Sequence, residues 1–447
     1  MKKKRYLSAL AALLWLFLVS SAQADIFYSV SNYIDSSVGI IEKNGGSYQV
    51  NKNIVVNLGM DAWGFTFRDH SGAERAMIRE YNYGPDDMVY VWNPLDWSRP
   101  EVNRKDWASN IRVTAAEGKY LYLATYESYN ESSAAQETGE VIRVDMERGY
   151  VPDKRSQYGA FTSGEHVSSP HGEAIHIQDG RVYVLFGISY NEGSEYDPGE
   201  IIEYDLELNE LRKVRLESQG ISGKNPMRMA YRDGKLYVAC VGEYQGPDSW
   251  GDIWEVDLQS MTSRRVLDGH SISYDPGDDT AAVGIYGIQF ASDGTAYILA
   301  GSYDAEYTFQ AKLFLTTADR LAAGDAGTVI ASYENFPGYS WDILYDEAIS
   351  TLWCMTGVSL EARDKDGRLV RTFQPSDLGD NIYSLSLLRG DAIKASEPNL
   401  PDAPTEDFGD NEGSGGGGGC DAGIPGLAGV MALTCIASVL TARKRGA

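Results

Sequence analysis

The chain has five histidines, and three of them, His166, His171 and His176, cluster around Glu173. On an alternating strand His171 and Glu173 share one face, and His166 lies on the segment leading in. Imidazoles beside a carboxylate suit a metal or acid–base chemistry. The spacing matches no zinc motif, and alternation puts His176 on the other face. A second cluster is Asp275, Asp278 and Asp279 around Gly277, with a similar pair at Asp86 and Asp87. Clustered carboxylates suit calcium, the one cofactor the sequence suggests. The full calcium-loop pattern is missing, so solvated turns are the simpler reading. A third set holds Glu192, Glu195, Asp248 and Glu306. Glycoside hydrolysis needs two carboxylates at a set separation, but 64 acidic residues offer many pairs by chance. The sequence contains no Gly-x-Ser-x-Gly elbow, His-Glu-x-x-His motif, phosphate loop or dinucleotide fingerprint.

These residues sit on a repeat of short strands. The clearest copy runs Met229 to Ala239 with Asp233-Gly234 at its turn, then Gly251 to Leu258, then Arg264 to Leu267. It reads as strand, Asp-Gly hairpin, strand, loop, strand, turn, strand. Further copies carry Asp179-Gly180, Glu117-Gly118 and Asp293-Gly294 at the same place, and fainter ones run from Trp63 to Trp97 and from Trp341 to Phe373. A four-stranded unit recurring every 45 to 60 residues or so is a propeller blade. The segments Ile26 to Ser31, Val38 to Glu42 and Tyr48 to Val56 make a blade without its first strand, and Ile382 to Leu388 is a strand without a blade. Pairing them closes the ring and removes its exposed edges. The expected fold is therefore all-β, a seven-bladed β-propeller of four-stranded blades over residues 25–396, closed by its N- and C-terminal strands. The repeats match neither WD40 nor kelch patterns. They also lack the Asp boxes of sialidases and the tryptophan-docking repeats of quinoprotein dehydrogenases.

In such a ring the second-to-third-strand loops share a face with the starts of the innermost strands. Those loops are long here and rich in Tyr, Asp, Glu and Asn, for example 127–137, 191–198, 243–250 and 303–309. Function normally sits on such a face. The residues expected around the channel mouth are Trp63, Asn110, His171, Asn225, Tyr286, Trp341 and Asn381, with Arg228 a little deeper. Aromatic faces stack and amides form paired hydrogen bonds, which suits a sugar or peptide. The plainer alternative is that the aromatics fill wedges between blades while the asparagines cap turns.

Both ends carry their own signals. Lys2 to Arg5, the apolar run Leu7 to Val19 and Ala22-Gln23-Ala24 read as a signal peptide over residues 1–24. Residues 397–419 form an acidic linker ending in Gly415 to Gly419, and Cys420 follows. Ala422 to Ala442 is uncharged and about long enough to span a bilayer, with Arg443-Lys444-Arg445 behind it. Polyglycine, Cys420-Asp421-Ala422-Gly423, Gly426-Leu427 and the basic stop resemble the Synergist-CTERM family of sorting signals. The resemblance covers residues 413–447 and implies a processing protease, attachment to the cell surface and Cys420 as the modified residue. It gives an address and no activity.

The formal net charge is −25, and it is more negative once the basic leader is removed. That argues against nucleic acid and anionic lipid as partners of the body. Cys240 and Cys354 either pair in an oxidising compartment or stay as buried thiols. Two functions are compatible with these features. One is a displayed binding module for a glycan, peptide or protein outside the cytoplasm. The other is an extracytoplasmic hydrolase or lyase using His171, Glu173, Arg228 and Tyr286.

Overall fold

In a computed structural model of the chain, the described residues are 24–31, 35–59, 61–80, 87–108, 110–126, 128–129, 135–136, 139–158, 162–163, 166–167, 169–190, 195–243, 250–272, 282–303, 309–333, 341–356 and 359–389. They form seven four-stranded antiparallel sheets, numbered here as blades 1 to 7. Blade 1 joins Ile382–Arg389, innermost, to Ala24–Ser31, Ser36–Asn44 and Ser47–Leu58. Blades 2 to 7 begin with the inner strands Trp63–Arg68, Ile111–Glu117, Ser169–Gln178, Pro226–Arg232, Gly284–Phe290 and Trp341–Asp346. Blade 2 ends at Val102–Arg104, beyond the Trp97 limit expected from sequence.

Turn chemistry sets the hairpins. Asp179 and Gly180 have φ of 50° and 69°, and Asp233 and Gly234 have 49° and 78°. Two successive left-handed residues make the turn whose twist matches a β-ribbon, and Asp-Gly adopts it readily. Across each blade burial follows strand position. Gly139–Asp145 and Thr351–Thr356 are buried throughout, whereas the outer strand Val151–Tyr158 alternates exposed and covered residues.

The apolar side chains gather into seven clusters, one at each blade interface. A single sheet cannot bury both faces, so each blade is stable only between two neighbours. Ile26, Tyr28 and Val30 pack with Trp353 and Phe373 of blade 7, while Phe27 packs with Ile78 and Trp92 of blade 2. Polar hooks reinforce the contacts. The Tyr122 hydroxyl and Arg143 Nη1 both donate to the Leu206 carbonyl of the next blade, at 2.9 and 2.8 Å. Tyr297 reaches the Lys365 carbonyl at 2.7 Å in the same manner.

Closure is by the two chain ends. Ile382–Arg389 pairs with Ala24–Ser31 in a register that sets Ala24 against Arg389, Ile26 against Leu387 and Tyr28 against Leu385. The Ser29 and Ser384 hydroxyls are 2.6 Å apart, and Ser384 Oγ also accepts the Gly64 amide of blade 2 at 2.8 Å. Cys240 and Cys354 are free buried thiols in blades 5 and 7. Among the described residues no helix is long and apolar enough to cross a membrane.

Candidate functional site

Five inner strands carry one residue more than the strand beside them. In blade 3, Ile111 faces Thr125 and Val113 faces Ala124, which leaves Arg112 unmatched. In blade 4 the unmatched residue is Glu173, between Gly172 and Ala174. In blade 5 it is Met227, in blade 6 Tyr286 and in blade 1 Tyr383. A bulge adds local twist and re-aims one side chain. All five lie in the first half of their inner strands.

Backbone chemistry prepares these bulges. Asn110 and Asn225 have φ of 49° and 50°, in the left-handed region that asparagine tolerates. The Asn110 carbonyl accepts the Tyr126 amide at 2.8 Å, and the Asn225 carbonyl accepts the Val241 amide at 2.9 Å. In blade 4 a Cβ on Gly172 would come 2.7 Å from that of Ala124, so only glycine fits there.

The bulges bring charges together across blades. Arg112 Nε lies 3.7 Å from Glu173 Oε2, with side-chain exposures of 10% and 4%. The Arg112 guanidinium also lies 4.8 Å from the Trp63 ring and 5.1 Å from the Tyr126 ring. Tyr126 stacks on His171 with centroids 3.8 Å apart, and His171 Nε2 is 3.4 Å from Ser189 Oγ. Indole, guanidinium, phenol and imidazole thus form one run of contacts from blade 2 to blade 4. Among the described residues Glu173 Oε2 is buried without a hydrogen-bond partner. Farther round, Arg228 Nε and Nη2 donate to the two oxygens of Asp342 in blade 7, at 3.2 and 3.3 Å, and Nη1 donates to the Met227 carbonyl at 2.8 Å. Burial opposes the Arg228 charge, but Asp342 and, more weakly, Glu173 hold it protonated above the usual arginine range. The mouth therefore carries two cations and two anions in alternation.

Trp63 and His171, expected at the mouth, Glu173, expected on the same strand face as His171, and Arg228, expected a little deeper, belong to this set of residues. Asn110 and Asn225 lie at the mouth too, but buried, with their carbonyls committed to the backbone. Tyr286 is a bulge residue set edge-on to Phe309 at 5.6 Å. Asn381 is exposed just before its strand, its amide bound to Asp380 Oδ1 at 2.8 Å. Trp341 opens the inner strand of blade 7 opposite Thr356; its side chain lies outside the described residues. His176 faces blade 5, stacked on Tyr231 at 4.5 Å, so it is parted from His171. Its Nε2 is buried without a partner among the described residues, and burial lowers its pKa to about 4. His166 lies in a short hairpin with Thr162–Ser163. Asp87 is buried near Arg79 at 3.6 Å and accepts the Ile111 amide at 3.2 Å, so it anchors the start of blade 3. Asp275, Asp278, Asp279 and Cys420 lie outside the described residues, and among the described residues no three ligating side chains gather for a metal.

Sequence reasoning missed Arg112, Tyr126 and Asp342. Arg112 follows Asn110 by two positions just as Glu173 follows His171, so aligning the repeats on their bulges would have found it.

No protein-family description matches the chain, and no curated protein matches it. Solved structures do. An ulvan lyase, solved bound to a glucuronate–sulfated rhamnose saccharide, is 10% identical with a TM-score of 0.50, the match covering 79% of this chain and 94% of that one. That likeness is one of fold. A subtype N11 neuraminidase-like protein from a flat-faced bat isolate from Peru is 13% identical with a TM-score of 0.42, covering 76% of this chain and 89% of that one. A protein of unknown function from Bacteroides caccae is 12% identical with a TM-score of 0.40, covering 82% and 100%.

Proposed function

We propose that the chain is an exported, surface-anchored binding protein whose propeller holds a glycan, peptide or protein ligand at its channel mouth. One observation carries this reading. Two of the five bulge residues, Arg112 and Glu173, meet across a blade interface, and the rings of Trp63 and Tyr126 and the Arg228–Asp342 pair on other inner strands add aromatic faces and a second ion pair. Bulges concentrate where a side chain must be re-aimed for a site. The leader at residues 1–24 and the tail from Cys420 support export and C-terminal anchoring outside the cytoplasm, through a sorting protease.

The test is binding of the purified body to broad glycan and peptide arrays, repeated with Trp63→Ala. Capture lost in the variant supports the reading. Turnover of a substrate without any retained ligand overturns it. A hydrolase or lyase is the second reading, favoured by one detail: Glu173 is a buried, incompletely hydrogen-bonded carboxylate between Arg112 and Arg228, with His171 two residues away. Full activity in a His171→Ala/Arg228→Ala variant would reject that assignment.

A further inference from the structure

We infer that the channel mouth takes an uncharged, polyhydroxylated ligand, a neutral glycan, in preference to an acidic one. The inference rests on the binding reading above and narrows it to one ligand class.

The reason is charge balance at close quarters. A site for an acidic saccharide needs a cation whose charge is not already answered. Here each guanidinium at the mouth has its own carboxylate: Arg112 with Glu173, and Arg228 with Asp342. An incoming carboxylate or sulfate would meet a fixed anion beside each of the two cations, inside a chain of net charge −25. A cationic ligand would meet the reverse.

Hydrogen-bonding capacity remains while net charge does not. Arg228 has five N–H groups. Two go to Asp342 and one to the Met227 carbonyl, which leaves one on each terminal nitrogen without a partner among the described residues. Among the described residues Asp342 Oδ2 accepts only from Arg228, whereas Oδ1 accepts also from the Ile343 amide at 3.0 Å. The pair is partly open, with side-chain exposures of 20% and 24%. A donor beside an acceptor matches two vicinal hydroxyls, each of which both gives and takes a hydrogen bond. Glu173, whose side chain is 4% exposed, stays a fixed negative charge beside Arg112 and keeps that guanidinium answered. The half-buried Trp63 indole at the rim supplies an apolar ring for the C–H face of a sugar.

The test uses the purified protein and two sets of probes in calorimetry. One set is neutral hexasaccharides of glucose, mannose, xylose and galactose. The other is oligogalacturonate, oligoalginate and a sulfated oligosaccharide. At least one neutral probe should bind, with an affinity that changes less than twofold between 50 and 500 mM salt, in the manner of an uncharged ligand. Arg228→Met and Trp63→Ala should each weaken it by about tenfold, the scale of losing one good contact. Asp342→Asn frees the Arg228 charge and should tighten the acidic probes by about fivefold or more. Thermal unfolding of each variant shows that it is folded, and Trp63→Ala stands alone if Asp342→Asn is not. Acidic probes that bind wild type more tightly than neutral ones, and weaken with salt, overturn the inference. Peptide capture without any saccharide binding, lost in Trp63→Ala, also overturns it and leaves the mouth as a site. Ligand capture unchanged in both Trp63→Ala and Arg228→Met overturns the mouth reading itself.

Discussion

Arg112 and Glu173 are the bulge residues of neighbouring inner strands, and the bulges point a guanidinium and a carboxylate at each other across a blade interface, 3.7 Å apart and almost wholly buried. Neither would meet the other if both strands kept strict alternation. The pair is thus a product of ring geometry, and most of what can be tested at the mouth turns on it.

Removing one partner leaves a buried charge unanswered. Arg112→Ala is expected to lower the unfolding free energy by about 3–5 kcal/mol, the range for breaking buried ion pairs. Replacing both residues, Arg112→Met with Glu173→Leu, should recover most of the loss because no charge is then stranded. Denaturant titration of the three proteins decides it. A single variant within 1 kcal/mol or so of wild type would show that the pair contributes little.

Ring closure depends on strands far apart in sequence. Ser29 and Ser384 are directly paired with their hydroxyls 2.6 Å apart. Ser29→Cys/Ser384→Cys should therefore form a disulfide on mild oxidation, seen as a shift on a non-reducing gel. Locking the ring should slow unfolding in denaturant, because opening of the terminal strands is blocked. A protein that stays reduced under oxidant would contradict the register.

Asp252 gives a pH signature. Burial drives its pKa up to about 7, although Trp254, Arg265 and Cys240 pull the other way. The folded protein then holds this proton more tightly than the unfolded chain, whose carboxyl titrates near 4 or so. Its contribution to stability is full below about pH 4 and is lost as pH rises through about 7. The melting temperature of wild type should fall between pH 5 and pH 8 by more than that of Asp252→Asn. Equal slopes for the two proteins would assign the pH dependence elsewhere.

His176 behaves in the opposite sense. Burial lowers its pKa to about 4, so the unfolded chain takes up the proton first as pH falls. Stability is lost as pH drops from about 6.5 towards 4. His176→Phe keeps a ring against Tyr231 and removes the titrating nitrogen. The variant should lose less stability than wild type on going from pH 7 to pH 5, measured by thermal unfolding.

Much of the fold was legible because its causes are local. Asp-Gly pairs at 179–180 and 233–234 specify tight hairpins, alternation marks half-buried strands, and recurrence of both counts the blades. The lone strand 382–388 and the incomplete blade at 26–56 complement each other on paper, and the ring joins them in that order. Position in the repeat singled out Trp63, His171 and Arg228, and strand alternation set Glu173 beside His171; the structure places Trp63, His171 and Glu173 in one run of contacts with Arg112 and Tyr126. Asn110 and Asn225 stand in the left-handed region with their carbonyls bound to the backbone, a conformation that a side chain's type alone does not reveal.

The sequence by itself determined the blades, their number and their order, since strand and turn preferences act over a few neighbouring residues. Only the tertiary structure decided which side chains face the channel. One extra residue in an inner strand reverses the alternation beyond it, and packing against two other blades settles whether that residue is accommodated. Arg228 meets Asp342 across more than a hundred residues of chain because a closed ring holds blades 5 and 7 on either side of blade 6, a distance no local pattern encodes.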